Sequence, residues 1–165
     1  MVILWRLLFG HFLADFTFQS NYINSWKRTS HFGMIAHCAI HPVFYFVFTF
    51  PFINDYWISN PLFQIKGWAC ILIVFIAHYI EDQWRVFTIF KYNTPDNTLY
   101  FIWDQIIHYA VIFAVIPMGQ LGTAMPLFPE KWPIFGCLFV LATHACTVFV
   151  YFIEKDLYKQ EQFPH

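Results

Sequence analysis

At four places along this chain, two histidine or aspartate residues stand four apart: His11 with Asp15, His37 with His41, His78 with Asp82, and Asp104 with His108. In a helix that spacing puts both side chains on one face, about one turn apart. Neutral imidazole and carboxylate are standard ligands for zinc, and iron and manganese accept them too. Each pair can supply two ligands, or one ligand and the group that orients it. Four pairs exceed one tetrahedral shell, so some members must orient, bind a second ion or move protons. A bound ion would bring the pKa of water to about 7 and make a nucleophile, with a remaining carboxylate as general base. On this reading His11, His37, His41, His78 and His108 are the candidate metal ligands. Asp15, Asp82 and Asp104 are the candidate catalytic groups, and zinc is expected ahead of iron or manganese. Neither H-E-x-x-H nor the H-x-x-H-H boxes of membrane di-iron oxygenases occur.

Two other chemistries fit the same residues. Histidine titrates near neutral pH, and intramembrane Asp/His chains form relays in pumps and transporters. Five spans is small for a secondary transporter, although a homo-oligomer would answer that objection. The third reading is structural, with the pairs bonding helices together at modest gain. Around the pairs stand supporting polar residues. Gln19 lies one turn beyond Asp15, Arg85 three residues beyond Asp82, and Gln105 three before His108. His144, flanked by Thr143 and Thr147, serves either the centre or helix–helix bonding. Glu81 points about 100° away from Asp82 on a helix and is left outside the centre.

The segments that carry these residues are apolar and of membrane length. The chain is 59% hydrophobic and 12% charged, with mean hydropathy +0.50; ordinary soluble domains carry roughly twice that charge. A soluble domain of this size could not hide so much apolar surface. The net charge of −1, with no basic stripe, excludes nucleic acid as a partner. Five spans are expected at about 2–20, 32–53, 62–80, 98–118 and 133–153, each near the ~20 residues needed to cross the hydrocarbon. The connections Ser20 to His31, Asn54 to Pro61, Asn93 to Asn97 and Gly119 to Pro133 read as polar or turn-like stretches. Residues 1–153 then form one transmembrane domain, and 154–165 a short polar cytoplasmic tail. Cys38, Cys70, Cys137 and Cys146 lack metal-motif spacing and read as core-filling residues.

Lys27, Arg28, Arg85, Lys91, Lys155 and Lys159 fall on one side of this arrangement, against Lys66 and Lys131 on the other. The positive-inside rule then sets the N-terminus outside and the C-terminus in the cytoplasm. All seven tryptophans lie at or just beyond segment ends, as interfacial belts require. With this topology every His/Asp pair falls in the cytoplasmic half of its span. Ionisable groups at that depth are costly, so they face a bundle interior and mark a site or pathway.

Taken together these motifs resemble the small bacterial and phage membrane proteins of domain of unknown function 3307. Its N-terminal G-H-x-x-x-D-x-x-x-Q is seen as Gly10, His11, Asp15 and Gln19, and its H-x-x-x-H as His37 and His41. H-x-x-x-D-x-x-K/R is matched by His78, Asp82 and Arg85, and D-Q-x-x-H by Asp104, Gln105 and His108. The resemblance covers about residues 3–115 and implies a fold and a polar centre, with no reaction attached. The expectation from the sequence is therefore an all-α polytopic bundle of about five helices in a bacterial inner membrane. Its leading activity is metal-dependent hydrolysis of a lipid or other membrane-embedded substrate. The alternatives are a proton- or ion-coupled small-molecule carrier and a noncatalytic accessory protein.

Overall fold

The computed structural model describes residues 2–117 and 125–162, and the chain is mostly helical. Gly122 and much of the connection before Pro133, like His165, lie outside the described residues.

Helix α1 (Val2–Phe12) runs into a widened π turn, Leu13–Thr17. Such a turn inserts a residue into the helical ladder and is frequent at functional sites; here it carries Asp15. The stretch from Ser20 to His31, expected as a polar connection, instead contains helix α2 (Asn21–Thr29). Ser20 caps it, its Oγ accepting from the Ile23 amide at 3.3 Å, and Ser30 Oγ likewise caps α3 (His31–Thr49) through the Phe32 amide at 3.2 Å. Pro42 follows His41 inside α3 and withdraws one amide from the ladder there.

A short antiparallel hairpin corrects the purely helical expectation. Strands β1 (Tyr56–Ser59) and β2 (Gln64–Lys66) pair with Ser59 opposite Gln64. Asn60 Oδ1 closes the turn by accepting from the Leu62 and Phe63 amides at 2.9 and 3.0 Å. Helix α4 (Gly67–Tyr92) accordingly begins later than the expected third span and extends well past it, to Asn93 in the left-handed region at φ 53°. Asp82 is thus an interior residue of that helix, not its end. Helix α5 (Thr98–Ala114) is capped by Asn97, whose Oδ1 accepts from the Tyr100 amide at 2.9 Å. Helix α6 (Lys131–Val140) continues through a second π turn, Leu141–Ala145, into α7 (Cys146–Gln162). Helical structure therefore continues past residue 153.

Helix α1 packs on α3 and α6, α3 on α2 and α4, α4 on α5, and α5 on α7. One end of this bundle is apolar: Leu7 of α1, Tyr45 of α3, Cys70 and Val74 of α4, and Ile112 of α5 share a buried core. Trp57 joins that core at 2% exposure and donates to the Phe52 carbonyl at 3.0 Å. It is therefore not part of an interfacial belt. Arg6 is also fully buried, and its guanidinium donates to the Phe48 and Phe128 carbonyls at 3.1 and 2.7 Å. The other end holds the His/Asp pairs. The stretches His31–Phe52 and Lys131–Tyr158 are long and apolar enough to cross a membrane, and Thr98–Ala114 is a shorter apolar helix.

Candidate metal centre

All four His/Asp pairs are buried and face one another. The reason is the alternating chain direction: the polar turn follows the apolar turns in α1 and α4 and precedes them in α3 and α5, so each pair reaches the same level.

The tightest group joins α1, α3 and α4. Asp15 Oδ1 lies 3.0 Å from His41 Nε2, 3.4 Å from His37 Nε2 and 3.9 Å from His78 Nε2, while the His37 and His78 Nε2 atoms are 3.5 Å apart. One donor atom from each of the four falls within 4.8 Å of the others. Zinc–nitrogen and zinc–oxygen bonds of about 2.0–2.2 Å place tetrahedral ligands about 3.3–3.6 Å apart. The observed separations bracket that edge, so this buried His/Asp group has the composition and spacing to hold a metal ion.

His11 stands behind the group. Its Nε2 is 3.4 Å from Asp15 Oδ2 and 3.3 Å from Gln105 Oε1, and Gln105 Nε2 donates to Asp15 Oδ2 at 3.4 Å. Tyr109 donates to the same Gln105 oxygen at 3.1 Å. These contacts brace the Asp15 carboxylate from behind, while His37, His41 and His78 surround its Oδ1.

Asp82 lies between this group and a second one. Its Oδ2 faces His37 Nε2 at 3.1 Å and His78 Nε2 at 3.8 Å, and its Oδ1 faces His108 Nε2 at 3.9 Å. Lys27 of α2 donates to Asp82 Oδ2 at 2.9 Å. Beyond it Glu81, Asp104 and His108 cluster, with Glu81 Oε2 3.3 Å from His108 Nε2. Glu81 thus belongs to the centre that sequence reasoning left it out of. Neighbouring helices approach α4 from both sides, so residues 100° apart both find the interior. Cys38, expected only to fill space, brings Sγ within the same reach of His78 and Asp82.

A cavity of about 600 Å³ leads to this layer, lined by Asp15, Gln19, Lys27, Asp82, Asp104 and Gln105 among others. At its rim Arg85 donates to Asp104 Oδ2 at 2.7 Å and to Asp96 Oδ1 at 3.2 Å. Asp96 also accepts from Arg28 at 2.6 Å and Lys155 at 3.1 Å. Burial pushes the Asp96 carboxyl up, but Arg28 and then Lys155 outweigh it and hold the group down at about 2. Lys27, Arg28 and Asp96 line the cavity, although sequence reasoning passed them over or read them as topology signals. The tail is not a free end either, because Asp156 accepts from the Thr98 amide at 2.9 Å. His144 does not join the centre: it is exposed and contacts Thr143 Oγ1 at 3.1 Å. All four cysteines are free thiols.

The fold and site define a helical protein with a buried histidine–carboxylate centre opening to a polar cavity. The chain belongs to the family described as "Protein of unknown function (DUF3307)", which it matches over residues 3–135. That range takes in every motif named above and reaches the start of the last long helix. No curated protein and no solved structure matches it.

Proposed function

We propose that this protein is a polytopic membrane protein of about five spans, N-terminus outside and C-terminus cytoplasmic, that hydrolyses a lipid or other membrane-embedded substrate with a bound zinc ion. The carrying observation is the convergence of Asp15, His37, His41 and His78, with Asp15 lining an accessible polar cavity. Membrane residence is supported by an inverted distribution of side chains. Ionisable residues are inside, while Leu72, Ile76, Ile80, Trp84 and Phe87 of α4 and Phe135, Leu138 and Phe139 of α6 are exposed. In water such a surface would drive aggregation; in lipid it is the ordinary exterior.

His37, His41 and His78, with Asp15, would hold the ion. Of the four, Asp15 alone lines the cavity. Asp15 is therefore the member of the group that water in the cavity reaches. A zinc ion held there would supply an activated water, and the Asp15 carboxylate would be the group that takes its proton. The cavity suits an amphiphile: its lining combines apolar Phe16, Val86, Ile89 and Phe152 with basic Lys27, Arg28 and Arg85.

Elemental mass spectrometry of the purified, detergent-solubilised chain tests the reading, with His41→Ala and His78→Ala beside it. Bound zinc, reduced in both variants, followed by lipid hydrolysis that needs the metal, is the expected result. A folded sample without metal overturns it. A second reading, proton or ion movement, draws on the succession of rings His41, His78 and His108, with centroids 3.9 and 4.1 Å apart. The packed apolar core across the other end of the bundle works against a continuous path. Proton leak through reconstituted vesicles, independent of metal, would favour the carrier.

A further inference from the structure

We infer that the centre is dinuclear: a second divalent transition-metal ion binds at Glu81, Asp104 and His108, with the Asp82 carboxylate bridging it to the ion held by the first group. The inference rests on the metal reading above.

The second group is built like the first. It comes from two helices, and Asp104 and His108 are 5% and 3% exposed. Each member presents a buried atom without a hydrogen-bond partner among the described residues: Glu81 Oε2, Asp104 Oδ1, and both ring nitrogens of His108. Glu81 Oε2 and His108 Nε2 are 3.3 Å apart yet not aligned as donor and acceptor. Two ligands of one ion stand in that relation, each aimed at a common point instead of at the other. Unpartnered buried polar atoms are costly, and several on three adjacent residues call for a shared ligand. An anion is excluded by the two carboxylates, and one imidazole nitrogen with two carboxylate oxygens suits zinc, manganese or iron.

Charge argues the same way. Glu81, Asp82 and Asp104 bring three carboxylates into this corner, while Lys27 and Arg85 are the cations in contact with Asp82 and Asp104. Arg85 holds only Oδ2 of Asp104 and leaves Oδ1 free for an ion. Asp82 meets the demand of a bridge, since its oxygens divide between the groups: Oδ2 toward His37 and His78, Oδ1 toward His108. The His78 and His108 rings, one from each group, lie with centroids 4.1 Å apart. That contact sets the two groups side by side, as a two-metal centre requires.

The test is zinc stoichiometry on the full-length protein in detergent, with electron paramagnetic resonance after replacement by Mn(II). Wild type is expected to hold about two ions per chain, as two-metal sites do, and to give an exchange-coupled manganese signal. Glu81→Gln, a near-isosteric change, should retain one ion, lose the coupled signal and keep the size-exclusion profile of wild type. His41→Ala should likewise drop one ion. Wild type with a single ion that Glu81→Gln leaves in place overturns the dinuclear centre while sparing the mononuclear reading. Two ions retained in Glu81→Gln with unchanged coupling also overturn it, because the second ion then lies elsewhere. Folded wild type without any ion overturns both readings together.

Discussion

Asp15 and His41, twenty-six residues apart and on different helices, meet at 3.0 Å between Oδ1 and Nε2. The contact exists because the π turn at Leu13–Thr17 carries Asp15 inward against α3. Asp15→Asn keeps the shape and removes the charge, so metal affinity should fall at least about tenfold, or ~1.4 kcal/mol. Competition with a chromophoric chelator measures it, and unchanged affinity would remove Asp15 from the ligand set.

Gly10 sets the approach of α1 to α3. A Cβ added there would sit 2.9 Å from Tyr45 Cδ1 and 3.2 Å from Phe44 Cβ. Gly10→Ala should cost about 1–3 kcal/mol through overpacking and weaken metal binding by displacing His11 and Asp15 from α3. A thermal melt together with the chelator titration checks both effects.

Lys27 and Asp82 form an ion pair with side chains only 13% and 5% exposed. Lys27→Met leaves a buried carboxylate uncompensated, a loss of about 3–5 kcal/mol for a fully buried pair. Bound metal would supply the missing positive charge. The fall in melting temperature should therefore be larger in chelator than in zinc, and equal falls would argue against an ion beside Asp82.

Asp96 ties α2, α4 and α7 together through Arg28, Arg85 and Lys155. Its carboxyl lies near 2, below the ordinary 3.8. A depressed folded value means the stabilisation is complete above about pH 4 and disappears as pH falls through about 2. At neutral pH it amounts to about 1–2 kcal/mol after allowance for solvent. Asp96→Asn should lower the melting temperature at pH 7 and make little difference near pH 2. A pH-independent effect would show that charge is not the cause.

A reporter fused after the last residue is expected to read cytoplasmic, and one before Val2 periplasmic. The reverse pattern would invert the orientation while leaving the clustering of the four pairs intact.

Spacing along the chain determined that His11 and Asp15, His37 and His41, His78 and Asp82, and Asp104 and His108 share helical faces, since a period of 3.6 residues is a local property. The matching levels of the pairs followed from the same arithmetic applied to antiparallel helices. Sequence also located the Asn93 to Asn97 turn from its Asn, Pro and Asp content, and Asn93 there adopts a positive φ. Tertiary structure decided the rest. Helix rotation and the direction of each neighbour's approach placed His11 behind Asp15 and His37, His41 and His78 around a common point. They also drew Glu81 inward beside Asp82 and brought Lys27 and Asp96 to the cavity from distant segments. Local periodicity says which residues travel together; only the packing of one helix against the next fixes which atoms meet, because contacts of 3–4 Å depend on rotations that spacing does not encode.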